Sequence, residues 1–154
     1  MPASKLLFAL EPFSKVYEEA GDLLTRHWEE LTKRKDVFTV NPDLPTYRTL
    51  EEANRLAVVT ARDEGKLVGY FVWFIFPHAH YQDTLVATED LHFLHPEYRK
   101  GLNGYLLMRE AVALLKPLNV TAYTIREKIG HEHPALMKRL GFTPMDVTYI
   151  KIEE

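Results

Sequence analysis

The first part of the chain carries a long helical pattern. Apolar side chains recur there at three- and four-residue spacing, which is the repeat of one helix face. These positions are Val16, Ala20, Leu23, Leu24, Trp28 and Leu31. We therefore expect a helix that begins near Pro12 and Ser14 and ends near Leu31, preceded by a first strand over residues 5–10.

The stretch after this helix has a different pattern. Prolines interrupt residues 41–45, so the helix cannot continue through them. Thr49 with Glu52 three positions later is a capping-box pattern, which predicts a short helix over residues 50–54.

Strand patterns fill the middle of the chain. Residues 55–62 and 66–76 predict two strands joined by a turn at Asp63-Glu64-Gly65, where the glycine tolerates a positive φ. The second of these strands is apolar on both faces, as in the centre of a sheet, so its aromatic side chains are expected in the core. A fourth strand is predicted over residues 84–94.

Helical and strand patterns alternate in the remaining residues. The sequence predicts a helix over 102–115, a strand over 120–125, a helix over 134–140 that ends at Gly141, and a last strand over 147–152. This order of elements is typical of an α+β protein with a mixed sheet.

Composition limits the kind of protein. A chain of 154 residues with 46% hydrophobic residues predicts one globular domain over residues 1–154. The net charge of −3 gives no reason to expect nucleic acid or an anionic membrane as a partner. No apolar stretch has the length of a membrane span or the form of a signal peptide, so we expect a cytoplasmic protein. The absence of cysteine excludes disulfides and a thiol nucleophile.

The turn after the fourth strand has the features of an anion site. Pro96 ends the strand, and the basic, glycine-containing run from Arg99 to Gly104 opens the next helix. The first turn of a helix leaves backbone N–H groups unpaired and carries the positive end of the helix dipole. Gly101 and Gly104 allow close approach to the backbone, and Arg99 and Lys100 add positive charge.

This run resembles the acetyl-CoA-binding signature of the GNAT superfamily of N-acetyltransferases. Arg99 and Gly104 match the outer positions of the signature, whereas Leu102 stands in place of the middle glycine. A second element, residues 135–142 ending in Leu140-Gly141-Phe142, resembles the short C-terminal helix of the family. The resemblance implies a single-domain α+β fold whose mixed, mostly antiparallel sheet is flanked by helices and splayed between its fourth and fifth strands.

The resemblance also implies acetyl-CoA as a co-substrate that lies in this gap. The fourth strand of the family pairs through its backbone with the pantetheine, which by position falls on Phe93 and Leu94. The diphosphate falls on the following turn and the first turn of the helix. The residues implied there are Arg99, Lys100, Gly101, Leu102, Asn103, Gly104 and Tyr105.

Acid and base candidates lie on the same strand. An amine must be neutral to attack a thioester, so a proton acceptor is needed near the acetyl group. Alternation along a strand places Asp90 and His92 on the face of Leu94, and we favour these two. Glu89 competes with them, because a β-bulge would shift the register by one residue. Alternatively, Glu89 and Asp90 only pair with Arg or Lys across the sheet.

The expected proton donor for the departing thiolate is missing. The family usually has a tyrosine four positions before the Gly of the final motif, and Met137 stands there. Tyr123 is the substitute that we assign, with Tyr105, His131 and His133 as alternatives. Water could also protonate the sulfur, or the protein could bind acyl-CoA with little turnover.

The histidines raise the question of a metal. Two His-x-His pairs occur, at residues 78 and 80 and at residues 131 and 133, but neither has an established zinc spacing, so we expect no metal. We consider two interpretations of His78, His80 and Tyr81: they line the entrance for the acceptor, or they form an ordinary polar loop.

The sequence therefore predicts an enzyme that moves an acetyl group from acetyl-CoA to a primary amine by direct attack. The acceptor is an amine-bearing small molecule or a peptide. Two alternatives remain: a non-catalytic acyl-CoA-binding or regulatory protein on the same fold, and an interaction domain whose basic turn is incidental. The strand over 147–152 makes a homodimer possible through pairing of exposed edges.

Overall fold

A computed structural model describes residues 5–153 of the chain. The strands are β1 (Leu7–Leu10), β2 (Leu56–Asp63), β3 (Lys66–His78), β4 (Tyr81–Leu94) and β5 (Ala122–Thr124). The helices are α1 (Phe13–Glu19), α2 (Gly21–Leu31), α3 (Leu44–Glu52), α4 (Asn103–Ala113) and α5 (Pro134–Arg139), with 3-10 turns at Pro96–Tyr98 and Lys116–Leu118.

The strands form one mixed sheet in the order β1-β2-β3-β4-β5. Neighbours are antiparallel except for β4 and β5, which run parallel. The β4–β5 pairing ends at Thr88 and Thr124, whereas β4 continues to Leu94. The predicted α+β fold, with its sheet splayed between the fourth and fifth strands, is confirmed.

Two apolar layers cover the two faces of the sheet. One layer includes Trp73, whose indole Nε1–H donates to the carbonyl of Ala111 in α4 at 3.0 Å. The other layer packs α1 and α2 against residues such as Tyr70 and Phe93. Burial of Phe71 and Trp73 confirms that these aromatic residues of β3 form core. Phe74 is half-buried, and the prediction is wrong for Phe76, which lies near the end of the strand and is 44% exposed.

Two predicted helices differ from those observed. The predicted long N-terminal helix is divided into α1 and α2, which meet at Ala20. The prediction missed this division because the spacing of apolar residues does not show a local bend of the backbone. α3 begins earlier than predicted, at Leu44, because a proline is tolerated in a first helical turn. Asp43 caps this helix by accepting from the Thr46 N–H at 3.2 Å.

The predicted last strand is wrong. Residues 147–152 form neither helix nor strand, although their side chains have high strand propensity. A strand exists only where a neighbour receives its backbone hydrogen bonds, and residues 5–153 of this chain provide none to this segment. No helix in the described part of the chain is long and apolar enough to cross a membrane.

Candidate active site

A β-bulge in β4 sets the geometry of the candidate site. Trp73 of β3 lies opposite Glu89 and Val72 lies opposite Leu91, so Asp90 is the extra residue of β4. An extra residue reverses the facing of the side chains on one side of it. Glu89 and His92 therefore share the α4 face of the sheet, although they lie three positions apart, an offset that places side chains on opposite faces of a regular strand.

The prediction that Asp90 and His92 share a face is wrong for this reason. Asp90 faces the other layer, where its Oδ2 accepts a hydrogen bond from the Tyr47 hydroxyl at 2.5 Å. Burial raises the pKa of Asp90, and the nearby Glu89 raises it further, while the bond from Tyr47 lowers it.

His92 and Glu89 form a hydrogen-bonded pair beside the gap in the sheet. The His92 Nδ1 lies 3.1 Å from the Glu89 Oε1, and the imidazole stacks on Phe71 with a centroid distance of 5.0 Å. The carboxylate favours a proton on Nδ1, which leaves the Nε2 lone pair free to accept a proton. Glu89 is 5% exposed, whereas the His92 side chain is 25% exposed, so the imidazole is the part that solvent reaches.

The expected pairing of Glu89 with a basic residue is also present. Arg126 follows β5 and reaches across the gap, where its Nη2 donates to the backbone carbonyl of Glu89 at 3.0 Å. Its Nε lies 3.8 Å from the Glu89 Oε2. Arg126 thus ties the two separated strands together at the point where their pairing has ended.

The edge of β4 beyond the bulge is open toward the gap. His95 donates its N–H to the Val68 carbonyl at 2.8 Å, so by alternation the backbone groups of Phe93 face β3 and those of His92 and Leu94 face the gap. The Leu94 carbonyl accepts from Arg99 Nε at 2.8 Å. Backbone pairing with a pantetheine stays a prediction, and the edge groups for it belong to His92 and to the Leu94 amide.

The turn after β4 presents the predicted cluster of unpaired amides. Gly101 has a φ of 59°, and a Cβ at Gly104 would meet open space. The Asn103 amide donates to the Lys100 carbonyl at 3.3 Å. No acceptor within residues 5–153 receives the amides of Lys100, Gly101, Leu102, Gly104 and Tyr105.

Arg99 does not point its charge at this cluster. Its Nη1 and Nη2 donate to both carboxylate oxygens of Glu30 in α2, at 2.6 and 2.8 Å. Its guanidinium also lies 5.0 Å from the ring centroid of Phe93. The sequence could not show this pair, because 69 positions separate its members.

Sequence reasoning missed one basic residue at the start of α4. Arg139, at the end of α5, lies 4.6 Å from the ring centroid of Tyr105. Arg109 lies 5.9 Å from the same ring. Arg109 is paired with Glu110 at 2.6 Å, as Arg99 is with Glu30, so Lys100 and Arg139 are the side chains that keep this end of α4 basic.

A family model described as the acetyltransferase (GNAT) family matches residues 15–142. The chain belongs to the GNAT acetyltransferase family. A comparison with curated protein sequences finds no match.

Solved structures share this GNAT fold. Ribosomal-protein-alanine N-acetyltransferase from Brucella melitensis biovar Abortus 2308 matches with a TM-score of 0.69 at 16% identity, over 97% of this chain and 99% of that chain. Glucosamine-6-phosphate N-acetyltransferase from Arabidopsis thaliana has a TM-score of 0.69 at 10% identity, over 97% and 99%. AAC(6')-Iy, solved with a CoA-S-monomethyl-acetylneamine bisubstrate analogue, has a TM-score of 0.64 at 16% identity, over 98% and 99%.

Met137 stands at the usual GNAT donor position, and no residue next to it in the chain supplies an acid in its place. Met137 packs against the core on the α4 face. Tyr123 lies on β5 opposite Ala87 and sets its ring edge against Trp73 at 5.5 Å. Burial raises the pKa of Tyr123, so the phenol keeps its proton at neutral pH.

The two histidine donor candidates are more exposed than Tyr123, whereas Tyr105 is half-buried like Tyr123. His131 and His133 lie in the exposed stretch before α5, and the His133 Nδ1 lies 3.2 Å from the Glu127 Oε1.

No three His, Asp or Glu side chains within residues 5–153 converge as metal ligands.

His78, His80 and Tyr81 cluster at the tip of the β3–β4 hairpin, with a His78–Tyr81 centroid distance of 4.8 Å. Tyr81 precedes Glu89 by eight positions of β4, which corresponds to about 25 Å along a strand. This separation favours the interpretation of these three residues as an ordinary hairpin tip over an acceptor entrance.

Proposed function

We propose that this GNAT protein transfers an acetyl group from acetyl-CoA to a primary amine by direct attack. The observation that carries the proposal is the position of the His92–Glu89 pair beside the open edge of β4, one turn away from a cluster of unpaired amides. A thioester bound along that edge would have a proton acceptor beside it and donors for its diphosphate beyond it.

The amide cluster fits a diphosphate. Backbone N–H groups at the first turn of a helix, with Lys100 close by, are the donor set that phosphate oxygens prefer. Gly101 adopts the left-handed conformation that turns successive amides outward, and the open space at Gly104 leaves room for the ligand. Acetyl-CoA would supply the activated acetyl group.

His92 is the base that we propose. Its Nε2 accepts a proton from the acceptor ammonium, directly or through water, while Glu89 holds Nδ1–H and stabilises the resulting imidazolium. The amine nitrogen then bonds to the acetyl carbon and releases a second proton to water, the bond from that carbon to sulfur breaks, and the thiolate leaves. Tyr123 is the protein group that we propose to return a proton to the sulfur.

The acceptor that we propose is an amine-bearing small molecule or a peptide amine. The names of the structural neighbours include an aminated sugar phosphate and a ribosomal protein alanine, and one neighbour is bound to an acetylneamine analogue. These three acceptor types form the first panel to test.

The test measures binding and turnover separately. We expect acetyl-CoA well above its Kd to raise the Tm, and at least one amine in the panel to release free CoA. Because the protein has no cysteine, a thiol reagent reports released CoA without background from the protein. A raised Tm without thiol release from any amine would favour the non-catalytic acyl-CoA-binding alternative. An unchanged Tm would remove both.

A further inference from the structure

An apolar cleft opens beside the bulge of β4, on the face of the sheet that α1 and α2 cover. Its lining includes Val72 of β3 and Leu91 of β4, together with side chains from α1, α2 and α3. Leu91 follows Asp90, the extra residue of the bulge. Tyr47, which also lines the cleft, donates its hydroxyl to the Asp90 carboxylate. The cleft therefore lies next to the point where the β4–β5 pairing ends and the gap begins.

The lining of this cleft offers few groups to a polar ligand. None of the lining residues in the described part of the chain is charged, and their polar side-chain atoms are tyrosine hydroxyls. Two of these hydroxyls are already engaged: that of Tyr70 lies 2.8 Å from the His27 Nδ1, and that of Tyr47 donates to Asp90. A charged or hydrogen-bonding group placed here would lose water without a replacement partner.

The free volume of the cleft limits the size of its occupant. It is about 50 Å³, whereas a cavity of about 150 Å³ holds a benzene molecule. The cleft thus has room for about two carbon atoms, which is the end of an aliphatic chain and less than an aromatic ring. One side of the cleft is open, so the rest of such a chain can extend out of it.

One acidic group stands beside the cleft. Asp90 is half-buried, and among residues 5–153 only Tyr47 donates a hydrogen bond to its carboxylate. Tyr47 meets Oδ2, so Oδ1 has capacity for a further donor. A ligand ammonium would supply that donor and an opposite charge. The arrangement is therefore complementary to a molecule with a cationic nitrogen at one end and an apolar chain at the other.

We propose that the acceptor is an aliphatic primary amine, with its chain end in this cleft and its ammonium group attracted by Asp90 at the start of the gap. This inference rests on the acetyl transfer proposed above and names the substrate class of that site. It adds alkyl amines to the acceptor panel and ranks them ahead of the amino sugars. A polar group at the far end of the chain should weaken binding, because the cleft offers it no partner.

Three amines with the same number of non-hydrogen atoms test this class: n-pentylamine, 4-aminobutan-1-ol and 1,4-diaminobutane. They differ in the group at the far end of the chain, which is a methyl, a hydroxyl or an ammonium. Titration followed by NMR measures each Kd in the presence of free CoA, which carries no acetyl group, so that no transfer occurs. We expect n-pentylamine to bind about tenfold more tightly than the alcohol and about a hundredfold more tightly than the diamine.

Leu24→Gln tests the cleft itself. Leu24 is half-buried on α2 and lines the cleft, and a glutamine there would supply a hydrogen-bonding partner. We expect the preference for n-pentylamine over 4-aminobutan-1-ol to fall about fivefold. Leu44→Gln is the matched control, because Leu44 is a half-buried leucine of the same apolar layer outside the cleft lining, and it should leave the preference unchanged. A ratio of two Kd values in one sample does not depend on the folded fraction.

Three results overturn the inference: no binding of n-pentylamine, equal Kd values for n-pentylamine and 1,4-diaminobutane, or an equal change of preference in Leu24→Gln and Leu44→Gln. Turnover separates this inference from the proposed function. If n-pentylamine binds as expected but no amine releases CoA from acetyl-CoA, the proposed function fails and the amine-binding cleft stands. If another amine releases CoA and n-pentylamine does not bind, the function stands and the substrate class is wrong.

Discussion

Arg99 and Glu30 are joined by two hydrogen bonds, at 2.6 and 2.8 Å, that connect the turn before α4 to helix α2. The same guanidinium holds the Leu94 carbonyl at the end of β4. Arg99 therefore locks three elements together around the proposed diphosphate site. Its charge is compensated by the Glu30 carboxylate.

Glu30→Gln tests this compensation. Removal of the carboxylate leaves the Arg99 charge available to the diphosphate, so acetyl-CoA should bind about three- to tenfold more tightly. Calorimetric titration with acetyl-CoA measures the effect. Glu29→Gln is the matched control, because Glu29 is an exposed neighbour on the same helix and should leave the Kd unchanged. Weaker binding by Glu30→Gln than by Glu29→Gln would show that Arg99 contributes only through its packing.

Kinetics of three variants identify the base. We expect His92→Gln to lower kcat about 10²- to 10³-fold, as is typical for loss of a general base. Glu89→Gln should cause a smaller loss, and Asp90→Asn should leave kcat nearly unchanged, because Asp90 faces the opposite layer. Acetyl-CoA affinity should stay the same in all three variants. A larger loss in Asp90→Asn than in His92→Gln would transfer the role to Asp90.

Asp90→Asn should also stabilise the protein at neutral pH. Burial raises the pKa of Asp90 in the folded state, so this group favours folding below its unfolded pKa and opposes it once pH exceeds the folded value. Asn carries no charge and still accepts from Tyr47. We expect the Tm to rise by about 2–4 °C at pH 7, which corresponds to about 1 kcal/mol. The gain should shrink as pH falls toward 4, and a pH-independent gain would exclude ionisation as its cause.

His27 should make the fold sensitive to mild acid. Its ring stacks on Phe93 at 4.8 Å, and its Nδ1 lies 2.8 Å from the Tyr70 hydroxyl. Burial lowers the pKa of His27 from 6.5 to about 4. A lowered folded pKa gives stability that is present above pH 6.5 and is lost as pH falls toward 4.

Urea denaturation at pH 7 and pH 4.5 measures this loss. We expect the free energy of unfolding of the wild type to fall by about 2 kcal/mol more than that of His27→Gln, which cannot titrate. His80→Gln is the control because His80 is exposed, and its free energy of unfolding should fall by as much as that of the wild type. An equal fall in the free energy of unfolding for the wild type and His27→Gln would contradict the assignment of the acid sensitivity to His27.

Local patterns predicted most of the elements correctly. The apolar runs of β2, β3 and α4 and the left-handed glycines at 65 and 141 depend on residues close in sequence. Two strands differ in length from the prediction because their ends depend on pairing with a neighbouring strand. β5 is shorter than expected, and β4 begins at Tyr81 because the hairpin continues its pairing with β3.

The facing of the side chains in the candidate site could not be predicted from such local patterns. Alternation correctly identified the strand that carries Glu89, Asp90 and His92, but the bulge decided which of them face the same layer. The signal for a bulge lies in the partner strand, where Val72 and Trp73 pair with residues two positions apart in β4. A single-sequence pattern contains no record of this pairing.

The sequence by itself determined the fold class, the glycine-containing turn that precedes α4 and the strand that bears the ionisable groups, because each depends on the spacing of residues within one element. Only the tertiary structure decided that Glu89 orients His92, that Glu30 neutralises Arg99, and that residues 147–152 lack a strand partner within the protomer. These features depend on contacts between distant parts of the chain, whose distances and directions are set by packing.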